Sequence, residues 1–125
     1  MNQIVTSFIC ASAVTEFALV AIDSAGKVAV ATSPTANTII GVAQRAAEAG
    51  DAVDVVIQGL TRVIASTSLT LTSDTVLSVT TGGEVQAAVS THYPVGFTVP
   101  NINQTSAAAN EQILINFNRG LAPLA

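Results

Sequence analysis

The chain of 125 residues has little of the chemistry on which most catalytic and metal sites depend. It has no tryptophan, one cysteine (Cys10) and one histidine (His92). A single cysteine excludes an intramolecular disulfide and a Cys-based metal cluster, and its commonest role is that of a small buried hydrophobe. A serine triad would have to use His92, which lies in a predicted loop beside Pro94, and no nucleophile-elbow motif accompanies it. We therefore expect no enzyme activity, no catalytic residue, no metal site and no cofactor.

Charge is also scarce, at 10% of residues, and the formal net charge is −4. The four basic residues, Lys27, Arg45, Arg62 and Arg119, are scattered, so no basic patch is available for nucleic acid or an anionic membrane. No apolar run reaches the roughly 18 residues that a membrane span needs. Residues 11–13 have the small-x-small form of a signal-peptidase site, but Lys and Arg are missing upstream, which favours production in a reducing cytoplasm over secretion.

Half of the chain is hydrophobic, and most of the rest is Thr and Ser, which favours strands. Residues 53–58 and 112–118 alternate apolar and polar positions in the pattern of half-buried strands. Further strands are expected at 17–22, 27–31, 39–43, 60–65, 75–79, 85–89 and 95–99. Residues 43–49 predict either one short helix or a loop with a helical turn. Short strands at this spacing indicate an all-β fold, a small barrel or sandwich.

The chain also contains two copies of one pattern, at about 17–59 and 75–119, within a single β domain spanning 17–125. Gly26 corresponds to Gly83, Gly41 to Gly96 and Gly50 to Asn110, at offsets of 57, 55 and 60. A glycine in mid-strand suggests a bulge or a tight barrel corner. Residues 1–16 fall outside this repeat and predict an extended N-terminal arm. This arm either adds a strand to another chain or forms the first strand of its own sheet.

One set of motifs carries a family resemblance, over about residues 17–118. It consists of Gly26-Lys27-Val28, Ile39-Ile40-Gly41-Val42-Ala43, Ala49-Gly50-Asp51 and the Val-rich strand that ends at Gly59. The order and spacing of these motifs resemble those of the small capsid decoration (cement) proteins of tailed bacteriophages, which are similar to the β-tulip proteins of lambda-like heads. The second copy follows it more loosely, with Pro94 at the position of Ile39.

The resemblance implies a non-enzymatic virion protein on the capsid exterior. Its partner would be a major capsid protein of the HK97-like fold, and the protein would be a homotrimer at three-fold positions that stabilises the expanded shell. For the capsid contact we expect strand addition by the arm, through Ile4, Val5, Phe8 and Ile9, with residues 1–14 separable from the folded domain. Two other classes stay open: a receptor-binding or adhesin module, and a secreted enzyme accessory or hydrolase domain.

Overall fold

The computed structural model describes residues 3–33, 35, 38–70, 76–99 and 106–118, and this part of the chain is all-β. It contains no helix, and so none long and apolar enough to cross a membrane. The strands are β1 (Gln3–Ile9), β2 (Leu19–Ile22), β3 (Val28–Val30), β4 (Ile39–Ala43), β5 (Ala52–Ile64), β6 (Leu69–Thr70), β7 (Val76–Val79), β8 (Val85–Ala87), β9 (Gly96–Thr98), β10 (Ser106–Ala107) and β11 (Gln112–Phe117).

The longest strand, β5, merges two strands that the sequence predicts separately. Its burial alternates on both sides of Gly59, which lies within the strand at φ +115° instead of ending it. Only glycine adopts this backbone conformation without steric cost, so the chain bends here and pairing continues. As a result β5 is long enough to have different neighbours along its two halves.

The main sheet has the order β3-β2-β4-β5-β11-β9-β7-β8, with antiparallel pairing throughout, and β1 also pairs with β5. Val56 pairs with both Val5 and Val42, so β1 and β4 lie on opposite edges of β5. Isolated parallel bridges join Cys10 to Val28 and Ala65 to Val85. These bridges bring distant strands of the sheet together, and the sheet curls into a small barrel-like domain.

The strand registers repeat at the three offsets found in the sequence. In the hairpins, Ile22 faces Val28 as Val79 faces Val85, both shifted by 57. The next pairings also correspond: Val20–Gly41 with Leu77–Gly96, and Val42–Val56 with Phe97–Asn116. The two copies therefore share one strand arrangement as well as a sequence pattern. Residues 75 and 119, the ends predicted for the second copy, lie outside the described residues.

The structure adds β1 to this correspondence. Ile9 pairs with Ala52 as Ile64 pairs with Gln112, so β1 occupies the same place beside β5 that the second half of β5 occupies beside β11. Residues 3–9 are extended, as expected of the arm, and lie along the chain's own sheet. We call residues 3–57 the first repeat and residues 58–118 the second repeat.

Two clusters of buried side chains hold the domain together. The first lies inside the first repeat and consists of Cys10, Val14, Val20, Val28, Ala43, Ala47, Val53 and Val55. The second fills the interior of the second repeat, where Phe117 and Leu77 are fully buried. It also takes in Leu19, Ala31, Ile39 and Val42 from the first repeat. The repeats therefore share apolar core, and neither is expected to be stable by itself.

Cys10 and Val14 lie in the predicted arm but belong to this core, so we expect the fold to depend on residues 1–14. The Cys10 N–H donates to the Asp51 carbonyl at 2.9 Å, and the Gly50 N–H donates to the Cys10 carbonyl at 2.8 Å. A backbone segment fixed by such bonds and by two buried side chains is structural. The arm therefore forms the first strand of the chain's own sheet, which is one of the two alternatives predicted from the sequence.

Burial, followed by the negative charge of Asp51, raises the pKa of the Cys10 thiol, while Arg45 opposes the shift. The native state therefore favours the protonated thiol. This stabilisation is present below the unfolded thiol pKa of about 8.5 and is lost as pH rises through the folded pKa. We expect native protein at pH 8 to react slowly with an aromatic disulfide reagent and urea-unfolded protein to react completely. Rapid stoichiometric reaction of the native protein would contradict this.

Candidate interaction surface

The large apolar side chains that the described residues expose fall on two surfaces. We call them the β1 surface (Ile4, Val5 and Ile9) and the β7–β9 patch (Val76 and Phe97). Val89, which is also exposed, lies two residues after the end of β8. Each of these side chains exposes between 36% and 57% of its area. Clustered exposed apolar side chains on a small domain mark contact sites for other proteins.

The β1 surface belongs to an edge strand. On one side, β1 pairs with β5 from Gln3 to Ile9, while no other described strand pairs with it as a ladder. The Cys10 N–H points towards β5, so alternation directs the N–H groups of Val5 and Ser7 towards the outer edge. Side-chain bonds hold β1 in register: Ser7 Oγ donates to Asp54 Oδ1 at 2.8 Å, and Gln3 Nε2 donates to the Leu60 carbonyl at 2.5 Å.

Nothing in the sequence of β1 protects this edge. Natural edge strands usually carry a charged residue, often lysine, or a proline, which discourages pairing with a further strand. β1 carries neither a charged residue nor a proline. Six of its seven residues are exposed. An uncharged, apolar free edge is suited to accept a strand from a partner protein.

The structure separates the four residues predicted for the capsid contact. Ile4, Val5 and Ile9 are exposed, whereas Phe8 is half-buried and packs against the first-repeat cluster. Phe8 faces the same side of the sheet as its cross-strand neighbour Val53, which is fully buried. Phe8 therefore anchors β1, and the three exposed side chains remain as the available contact surface.

His92 forms the pair that most resembles catalytic chemistry. Its Nδ1 lies 2.8 Å from Ser78 Oγ and also accepts the Val89 N–H at 3.4 Å. Ser78 is fully buried, so its hydroxyl is out of reach of a substrate. The pair fastens the loop after β8 to β7. Among the described residues no group of three potential metal ligands is found.

A pocket lies near β6 and β10. It has a volume of about 350 Å³ and is lined by Ser68, Leu69, Ser106, Ala107, Ala108 and Glu111. Its charged group, the Glu111 carboxylate, accepts the Ala108 N–H at 3.0 Å within its own turn. This pocket presents small side chains and one committed carboxylate, so the two apolar surfaces remain the stronger candidates.

Comparison with known proteins shows similarity at the level of the fold. No protein-family model matches the chain, and no curated protein matches it in sequence. Among solved structures, the N base of the head fiber protein gp8.5 of bacteriophage phi29 is similar, with a TM-score of 0.69 and 18% sequence identity. The match covers 99% of both chains. The fold predicted from the resemblance to phage head proteins is thus shared, over its whole length, with a protein of a phage head fiber.

Proposed function

We propose that this protein is a structural component of a phage virion that binds the outside of the expanded head. In this role it clamps neighbouring capsomers as a homotrimer at three-fold positions and performs no catalysis. Its partner is the major capsid protein. The observation that carries the proposal is the full-length fold similarity to the base of a phage head fiber. The free apolar edge of β1 supports it, because a capsid loop or arm can pair there.

The proposed mechanism is physical. A trimer presents three copies of the β1 surface, and linked weak contacts gain about 10²- to 10⁴-fold in affinity over one contact. Contacts available only on the expanded shell stabilise that state by differential binding. The added stability opposes the outward pressure of packaged DNA. Strand addition at β1 supplies backbone hydrogen bonds, and Val5 and Ile9 add apolar area on one face.

Lysine at Val5 or Ile9 is expected to weaken head binding about tenfold or more, because each change places a charge in an apolar contact. Both side chains are already exposed, so the fold should tolerate the change. The measurement is co-sedimentation with expanded heads and with unexpanded precursors of the source virus. Ala109→Lys is the matched control, because Ala109 is an exposed turn residue whose neighbour Asn110 bonds to Ala65, beyond the part of β5 that pairs with β1.

Saturable binding of the unmodified protein to expanded heads alone, with loss in Val5→Lys and retention in Ala109→Lys, would support the proposal. Absence of binding to either form of the head would reject the decoration role. Equal binding by all variants would keep the decoration role and remove β1 as the contact.

A further inference from the structure

One pair of equivalent positions is buried in the first repeat and exposed in the second. It lies on the face of the sheet opposite Val20 and Leu77. In the first repeat Leu19 pairs with Val42, and both side chains are fully buried. In the second repeat the same positions are Val76 and Phe97, which pair with each other and are 45% and 36% exposed. The same apolar face is therefore covered in one repeat and uncovered in the other.

The cover over the first-repeat face comes from the second repeat. The turn between β7 and β8 lies directly on it: the Leu19 N–H donates to the Gly83 carbonyl at 2.9 Å. A Cβ added to Gly83 would lie 2.7 Å from Val30 Cγ1 and 3.3 Å from Ala18 Cβ. The contact is so close that a Cβ at residue 83 would displace the Val30 side chain, and it places the second-repeat turn against β2 and β3.

The first repeat carries the same turn at residues 23–27, and there the turn is exposed. Gly26 has φ +78° and Gly83 has φ +77°. The turns close with equivalent bonds, from the Asp23 N–H to the Lys27 carbonyl at 2.9 Å and from the Thr80 N–H to the Glu84 carbonyl at 2.8 Å. A Cβ added to Gly26 would meet nothing within 4 Å. Among the described residues, one molecule thus displays an exposed copy of the turn and an exposed copy of the face that receives it.

This arrangement excludes a closed two-fold relation between the repeats. If a two-fold axis related them, the Gly26 turn would lie on Val76 just as the Gly83 turn lies on Leu19, and both would be buried. The observed contact is head-to-tail. Head-to-tail contacts between copies of one chain generate closed rings, or open filaments if the rotation does not close.

We propose that the turn at residues 23–27 of one chain docks on the β7–β9 patch of a second copy of the chain. The docked turn repeats the contact made within the chain by the Gly83 turn. The Gly26 carbonyl then faces the Val76 N–H, and Phe97 and Val76 become buried. Three chains would form a ring of six repeats. The number three rests on the proposed function, whereas the contact itself does not.

The contact between chains is expected to be weaker than the one within the chain. Within the chain, Gln44 Nε2 also donates to Thr61 Oγ1 at 3.1 Å across the two repeats. The residue equivalent to Gln44 is Val99, whose side chain has no hydrogen-bond donor. The residue equivalent to Val30 is Ala87, which offers less apolar area. Assembly should therefore depend on protein concentration.

The first test is a disulfide between chains. In the contact within the chain, the Cβ position of residue 83 touches the side chain of residue 30, so residues 26 and 87 should come within disulfide range between chains. The variant Gly26→Cys/Ala87→Cys is expected to form covalent multimers on oxidation, ending in one closed species. Each single variant should stay uncrosslinked, because Cys10 is buried. Equal crosslinking in single and double variants, or none in the double variant, would overturn the proposal.

The second test needs no cysteine. Val76→Lys leaves the fold intact, since the side chain is exposed, but places a charge where the turn must dock. Sedimentation equilibrium is expected to show the unmodified protein and Ala109→Lys as oligomers and Val76→Lys as a monomer, with unchanged circular dichroism. A monomeric unmodified protein at hundreds of micromolar, or an oligomeric Val76→Lys, would overturn the proposal.

Head binding is measured separately, so the two proposals can fail independently. Oligomers that crosslink as expected but do not bind heads uphold this contact and reject the decoration role. Monomers that bind heads do the reverse. A closed ring of another number of chains upholds the contact and rejects the homotrimer.

Discussion

Replacement of Gly96 by alanine is expected to destabilise the protein by about 3 kcal/mol or more, combining overpacking with backbone strain. An added Cβ would lie 2.2 Å from the Asn116 carbonyl oxygen and 3.2 Å from Phe117 Cα. Both atoms are backbone of β11, which pairs with β5 on its other edge and cannot retreat without breaking that ladder. The φ of +152° adds strain for any residue with a side chain.

Gly41 is the equivalent position in the first repeat and separates the two causes. A Cβ there would lie 2.3 Å from the Val56 carbonyl oxygen and 2.4 Å from Val55 Cγ1, but no positive φ accompanies it. Gly41→Ala should therefore destabilise through close approach alone, and by less than Gly96→Ala. The difference between the two variants estimates the backbone strain at Gly96.

Gly82→Ala is the matched control, because a Cβ at that turn position meets nothing within 4 Å. Its free energy of unfolding should stay within about 0.5 kcal/mol of the unmodified protein. The measurement is equilibrium unfolding in urea at fixed protein concentration, since assembly would add to the apparent stability. A Gly96→Ala variant as stable as Gly82→Ala would show that β9 and β11 do not approach each other as described.

Local patterns predicted much of the fold, because strands such as β11 bury one face more than the other. The alternation at 112–118 became β11, in which Ile113, Ile115 and Phe117 are fully buried. Glycine pairs at offsets of 57 and 55 located the hairpin turns and marked positions in β4 and β9 where a bulge or a tight corner was expected. The structure shows a close approach of the neighbouring strand at both positions. These positions were predictable because a tight turn or a close strand contact requires glycine whatever the rest of the chain does.

Long-range pairing explains what the sequence could not show. Residues 43–49 have helix-forming composition, but Val14 and Ala47 exchange backbone hydrogen bonds at 2.9 and 3.1 Å, and no helix forms there. The pairing of β6 with β10 joins Leu69 to Ala107, too short a contact to leave a pattern in either segment. In each case a partner distant in the sequence overrides the local preference.

The candidate surfaces were likewise predictable from the sequence only in part. The contact residues of β1 were predicted from its apolar sequence, but the inward turn of Phe8 depends on its pairing with Val53. The β7–β9 patch was missed, although a signal for it existed. Val76 and Phe97 occupy the positions of Leu19 and Val42. A face that is apolar in both repeats needs two covers, of which the described residues supply one.

Deletion of residues 1–14 is expected to abolish cooperative folding. The deletion removes β1 with its whole ladder to β5, together with the buried side chains of Cys10 and Val14. Burial of two such side chains contributes roughly 1.5–3 kcal/mol each, and the newly uncovered Val53 and Val55 add a similar loss. The total is comparable to the roughly 5–15 kcal/mol that stabilise an ordinary domain.

The measurement is thermal unfolding followed by circular dichroism, with Ile4→Ser/Ile9→Ser as the matched control. These two side chains are exposed and support little of the core, so the double variant should keep a cooperative transition within a few degrees of the unmodified protein. A truncated protein that still unfolds cooperatively would mean that β1 is a dispensable arm, free to leave β5 and pair with another chain. If the truncated protein has lost its transition, β1 is a wall of the barrel, and a partner must pair with its outer edge while the inner edge stays on β5.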